Sequence, residues 1–144
     1  MQLTKAADYA VRIMIQLATL PPGERVNRIA LAEAGDIPEH FVGKILQTLC
    51  KAGLIASHRG SKGGFALAAP AERVSVLDIV EAVEGPTQLN ACMAQGFGCS
   101  RKTWCPAHPV WVEAQQAMTA VLRRATIAAL ARSSERTPGE VVWN

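Results

Sequence analysis

Three cysteines and a histidine crowd one short stretch of this chain. Cys92, Cys99 and Cys105 are separated by six and five residues, and His108 follows Cys105 by three. Thiolates and imidazoles are donors for soft and borderline metals, so such a loop can fold around an iron–sulfur cluster or a zinc ion. Structural zinc sites favour closely paired ligands, and no C-x-x-C pair occurs, which weighs against zinc. A third chemistry needs no metal: disulfide exchange among free thiols. His108 can equally be a helix-start residue with no ligand role. Cys50 stands apart, one turn after Leu46 on an apolar helix face, the place of a small core hydrophobe.

A second set of residues suits nucleic acid. Residues 1–70 hold eight Lys/Arg against five Asp/Glu, whereas residues 71–144 hold seven of each. Between His40 and Ala71 stand Lys44, Lys51, Arg59 and Lys62 with no acid, on charge alone either a candidate nucleic-acid footprint or an ordinary solvated surface. Gln47 can make paired hydrogen bonds to an adenine edge, and Lys44 can reach guanine acceptors or phosphate. His40, Thr48 and Lys51 share that polar face and can contact the backbone. Gly43 removes a side chain in mid-helix, at a cost of about 1 kcal/mol relative to Ala. It either admits close approach to the groove floor or is merely tolerated.

The elements that must position these residues are legible from periodicity and punctuation. Residues 3–20 predict a helix with Thr4 as N-cap and Ala7, Ala10, Val11, Met14, Leu17 and Ala18 on one face, stopped by Pro21-Pro22-Gly23. A second helix is expected over 27–34, closed by Gly35-Asp36. A third starts near Pro38, carries Phe41, Val42, Ile45, Leu46, Leu49 and Cys50 as its apolar stripe, and ends before Gly53. Two short helices joined by a Gly-containing turn predict a helix-turn-helix. Residues 54–58, a glycine-rich turn at Gly60, Gly63 and Gly64, and residues 65–68 predict a β-hairpin, read as a wing whose Arg59 and Lys62 enter the minor groove.

Ser75 and Asp78 form an acidic capping box that opens a helix reaching Glu84. Residues 86–108 show no periodicity. From Pro109, Trp111, Ala114, Met118, Val121, Ala125 and Ala128 recur at alternating spacings of three and four, the seam of a helix pair. One helix over 109–132 would be about 36 Å long, which outreaches a small domain and points to a second copy of the chain as its partner, the alternative being packing against the first helix of the same chain. The expected organisation is therefore a winged helix-turn-helix domain over 1–85, a cysteine-bearing sensor loop over 86–108, a dimerisation helix over 109–132 and a flexible tail over 133–144. The fold class is mainly α with one small hairpin.

With 144 residues, 49% hydrophobic and 19% charged, the chain has globular composition and room for one domain. It has no apolar run long enough to span a membrane and no secretory pattern at its start. Four cysteines without such a pattern predict a reducing, cytoplasmic setting. An enzyme is the rival class. A thiol oxidoreductase wants a C-x-x-C pair beside a βαβ pattern, and no phosphate loop, nucleophile elbow or HExxH motif occurs. A pure interaction module would leave the acid-free basic stretch unexplained.

Residues 1–132 resemble the IscR/NsrR/RirA family of winged-helix iron–sulfur regulators. The resemblance is carried by the opening LTKAADYAVR, by PEHFVGKILQTLCKAGLI, by the wing SHRGSKGGFALA and by CPAHPVW. It implies a homodimeric DNA-binding transcription regulator, acting as a repressor on a palindromic operator, whose cluster reports iron, redox state or nitric oxide. It implies Cys92, Cys99 and Cys105 as cluster ligands. Two residues match fourth ligands known in the family: His108, as in IscR-type members, and Asp8, which NsrR-like members supply from the first helix of the other subunit. The alternative is a winged-helix regulator that works by thiol chemistry or zinc without a cluster.

Overall fold

The computed structural model describes residues 2–94, 96 and 98–134. Helix α1, Lys5–Thr19, starts where expected because the Thr4 side chain accepts from the Ala7 amide at 3.2 Å. It buries Ala7, Ala10, Ile13, Met14 and Leu17 and lies at the centre of the molecule, with α3, α4 and α6 packed around it. Helix α2, Arg28–Ala34, is capped by Asn27, whose Oδ1 accepts from the Ala30 amide at 2.9 Å. Helix α3, Glu39–Lys51, follows Pro38 and turns Val42, Ile45, Leu46 and Leu49 inward.

Strands β1, Ile55–His58, and β2, Gly64–Leu67, form the wing as an antiparallel pair, with Ile55 opposite Leu67 and His58 opposite Gly64. A third segment bridges to the hairpin, which the hairpin's own sequence does not announce. Val26, just before α2, exchanges backbone hydrogen bonds with Phe65 at 3.0 and 2.8 Å. This explains Gly64: its φ is +139°, and a Cβ there would meet the Val26 carbonyl oxygen at 2.7 Å. The wing is thus tied to the entrance of the helix-turn-helix.

Helix α4, Val76–Glu84, has the full capping box. Ser75 Oγ accepts from the Asp78 amide, and Asp78 Oδ2 accepts from the Ser75 amide at 2.8 Å. After the cysteine segment come α5, His108–Arg124, and α6, Ile127–Ser134. The single helix expected over 109–132 is therefore two. At the break, Val76 donates to the Ala125 carbonyl and Ile127 donates to the Val74 carbonyl, both at 2.9 Å, so residues 125–127 pair with the strand-like entrance of α4. Thr126 Oγ1 then accepts from the Ala129 amide at 3.3 Å and restarts the helix. The redirection buries Ile127, Ala128 and Ala131 against the chain's own core; Ala128 therefore has no place in an intermolecular seam. Ser133 and Ser134, expected in the tail, complete α6; residues 135–144 of that tail lie outside the described residues.

Ile127 is fully buried. Ile127→Ala is expected to destabilise the fold by about 2–5 kcal/mol in denaturant unfolding, from lost transfer free energy plus the cavity left behind. A loss below about 1 kcal/mol would mean that α6 can leave the core without consequence.

Candidate nucleic-acid interface and cysteine segment

On α3, His40, Lys44, Gln47 and Lys51 are all exposed, opposite the buried stripe. Thr48 is half-buried and its hydroxyl donates to the Lys44 carbonyl at 3.0 Å. The His40 ring lies 4.5 Å from that of Phe41, which in turn meets Tyr9 edge-on at 5.4 Å. These contacts fix the start of α3 against α1. His40, Lys44 and Thr48 also line one side of a groove closed by Thr4, Val83 and Glu84. They form the border of the exposed face, while Gln47 and Lys51 stand clear of the groove.

The wing tip presents Arg59 and Lys62, both exposed. Gly63 lets the tip close, because a Cβ there would collide with the His58 carbonyl oxygen. Two further cations join this surface from before and within α2. Arg25 donates from Nη1 to the Lys62 carbonyl at 3.4 Å, and Arg28 meets Glu39 of α3 at 3.4 Å. Neither lies in the acid-free stretch, because Glu33, Asp36 and Glu39 interrupt the basic run in sequence. Only folding brings Arg25 beside the wing and Arg28 over α3.

In the cysteine segment, Cys92 lies in a single 3-10 turn, Ala91–Met93. The Cys99 carbonyl accepts from the Lys102 amide at 3.2 Å, and the Cys105 amide donates to the Arg101 carbonyl at 2.8 Å. Gln115 of α5 anchors the start of the segment, accepting from the Leu89 amide at 2.8 Å and donating to the Thr87 carbonyl at 3.0 Å. Cys92, Cys99 and Cys105 are half-buried free thiols. His108 opens α5, donates its amide to the Cys105 carbonyl at 3.1 Å, and has a buried Nδ1 without a hydrogen-bond partner among the described residues. Three thiols and an unsatisfied imidazole nitrogen are a donor set whose chemistry fits a soft metal centre. Among the described residues, however, no three His, Cys, Asp or Glu side chains converge closely enough to hold a metal ion. Asp8 is turned to another task, an exposed ion pair with Arg12 at 2.8 Å along α1.

Cys50 packs against the core from α3, and burial pushes its thiol above the ordinary range. That disfavours the thiolate that a metal or an oxidant would need.

A family model described as "Rrf2: Iron-dependent Transcriptional regulator" matches residues 3–133. The chain belongs to the Rrf2 family. An HTH-type transcriptional regulator of Mycobacterium tuberculosis is 34% identical over 131 residues, covering 91% of this chain and 81% of the relative. CymR of Staphylococcus aureus has the same fold at a TM-score of 0.71 and 28% identity, covering 93% of this chain and 98% of its own; its oxidized form has also been solved. The T. potens IscR structure, at 24% identity and a TM-score of 0.74, covers all of this chain and 94% of its own, and shares the fold. The family and its Mycobacterium tuberculosis relative are transcription regulators and not enzymes, so this Rrf2 chain is a DNA-binding regulator of transcription. Its winged helix-turn-helix is the family fold expected from the motifs. Among its described residues, no helix is long and apolar enough to cross a membrane.

Proposed function

We propose that this Rrf2 protein is a cytoplasmic, homodimeric repressor that docks α3 into the major groove and the wing into the minor groove of a palindromic operator. The observation that supports the reading is that Arg25 reaches the wing at the Lys62 carbonyl and Arg28 reaches α3 at Glu39, beside the exposed His40, Lys44, Gln47, Lys51, Arg59 and Lys62; in this reading these residues and Thr48 form one DNA-facing surface. Phosphate contacts from the lysines and Thr48 set the register, while Gln47 reads a base edge. Helix α5, which has no buried residues in one copy of the chain, pairs with its counterpart and sets the spacing of the two wings.

Cys92, Cys99 and Cys105 are the proposed ligands of an iron–sulfur cluster, with His108 as fourth ligand or, alternatively, Asp8 of the partner subunit. When bound, the cluster supplies redox and ligand-exchange chemistry that responds to iron, oxidants or nitric oxide. The chain's own part is positional. Gln115 holds the segment to α5, and His108 links Cys105 to the first turn of that helix. Rearrangement of the thiols is thereby coupled to the helix that spaces the wings. A second reading keeps the DNA surface and replaces the cluster by thiol–disulfide chemistry or a zinc ion. Three free and separate thiols favour it, together with the oxidized form of the related CymR.

One experiment separates the two sensors: iron, sulfide and zinc content of protein purified without oxygen, followed by a salt titration of duplex binding. Iron with equimolar sulfide supports the cluster, and binding that weakens with salt supports the DNA surface. For the DNA surface itself, Arg59→Ala is expected to lower affinity by about 1–3 kcal/mol if its side chain lies in the minor groove, and by less if it touches only phosphate. Gln47→Ala is expected to flatten discrimination between operators. Unchanged affinity in both variants at matched salt refutes the docking.

A further inference from the structure

Glycine is unfavourable in a helix interior, yet Gly43 stands in the middle of α3 without a positive φ to require it. What occupies the space is a side chain from another helix. A Cβ on Gly43 would sit 3.6 Å from Arg28 Nη1, so the guanidinium lies over the exposed face of α3. Arg28 Nη2 donates to Glu39 Oε1 at 3.4 Å, one turn before Gly43. Glu39, Gly43 and Gln47 follow one another at intervals of four and so share one stripe of the helix. Arg28 is therefore delivered from the start of α2 to the same stripe as Gln47, and its side chain remains 53% exposed.

We infer that Arg28 is a base-reading residue of the DNA surface, a guanidinium steered by Glu39 and admitted by Gly43, that takes a guanine edge next to the base read by Gln47. The inference rests on the docking of α3 proposed above. Glu39 takes one of five N–H donors, and the planar fork keeps enough of the others for both acceptors of a guanine. Glu39 would be repelled by phosphates if alone. Paired to Arg28, it becomes a brace that costs the interface little charge. The contact at 3.6 Å is ordinary van der Waals distance, so alanine fits at position 43, whereas a long side chain would lie where the guanidinium does.

The test uses the full-length protein and duplexes that the wild type selects from a randomised pool, with each base pair of the selected site then varied in turn. Arg28→Ala is expected to lower affinity about five- to a hundredfold and to erase the preference for one G·C pair. Arg28→Lys, which lacks the fork, is not expected to restore either. Gly43→Ala is expected to keep the preference and Gly43→Leu to lose it. A uniform loss across all duplexes that Arg28→Lys rescues would make Arg28 a phosphate contact, and no loss would make it a surface ion pair; either overturns the inference. Arg59→Ala runs alongside. If it weakens binding while Arg28→Ala does not, this inference falls and the docking stands. If the wild type selects no sequence, the docking falls, and the inference with it.

Discussion

Serine at Cys92, Cys99 or Cys105 is expected to abolish the visible absorbance of protein purified without oxygen, while Cys50→Ser leaves it intact. The difference follows from thiolate availability. Cys50 packs against the apolar core, where burial raises its pKa and holds it as a neutral thiol. The other three lie on a segment of turns, free of disulfides and open to solvent in part. A thiolate binds iron tightly, whereas an imidazole or carboxylate ligand is more readily protonated or displaced, so a centre with one such ligand is labile. His108→Ala and Asp8→Ala belong side by side in the same measurement. The proposed fourth ligand is His108, because its buried Nδ1 lacks a hydrogen-bond partner among the described residues and Asp8 is engaged by Arg12. Serine variants that keep full absorbance overturn the ligand assignment. Wild-type protein with full zinc occupancy and neither iron nor sulfide overturns the cluster and leaves the DNA surface standing.

Val121→Lys is expected to convert the protein to monomers and to weaken binding to a palindrome by about a hundredfold or more, since each half-site then binds without the other. Helix α5 buries none of its residues within one chain, and its exposed apolar side chains include Val110, Trp111 and Val121, at 57%, 38% and 48% exposure. Single exposed apolar residues are ordinary, but a row of them along one helix marks a contact surface. Val121 makes the cleaner test than Met118. Met118 is half-buried and lines a groove with Leu3 and Leu122, so a charge there would disturb the monomer as well. At the half-exposed position 121 a lysine can extend its ammonium into solvent in the monomer, yet in a dry interface that ammonium would cost several kcal/mol. Sedimentation velocity reads the outcome directly. A Val121→Lys protein that remains fully dimeric would place the interface elsewhere.

Much of the fold was legible because its signals are local. Thr4, Asn27 and Ser75 cap helices through hydrogen bonds to amides three residues on, and those bonds need nothing beyond their own turn. The hairpin follows from two short apolar runs around a glycine turn, and α3 from an apolar stripe with an acid at its start. The exposed face of α3 is simply the complement of that stripe, so its polar residues could be named without coordinates.

What the sequence by itself could not determine depends on backbone or side chains meeting across long separations. The three-and-four seam runs from Trp111 through Ala125 to Ala128 without interruption, because periodicity reports spacing and not partners. The pairing of residues 125–127 with Val74 and Val76 breaks that helix and turns its last part onto α1. Likewise, a bridge from outside the wing joins Val26 to Phe65, and Arg28 crosses from α2 to the space left by Gly43. Such contacts form only when distant segments pack together, since backbone groups that helix or strand leaves unpaired must still find partners as they are buried. Local chemistry therefore determined which residues face solvent and which turn inward. The tertiary structure decided where the long helix ends, what holds the wing, and which cations share the surface with Gln47.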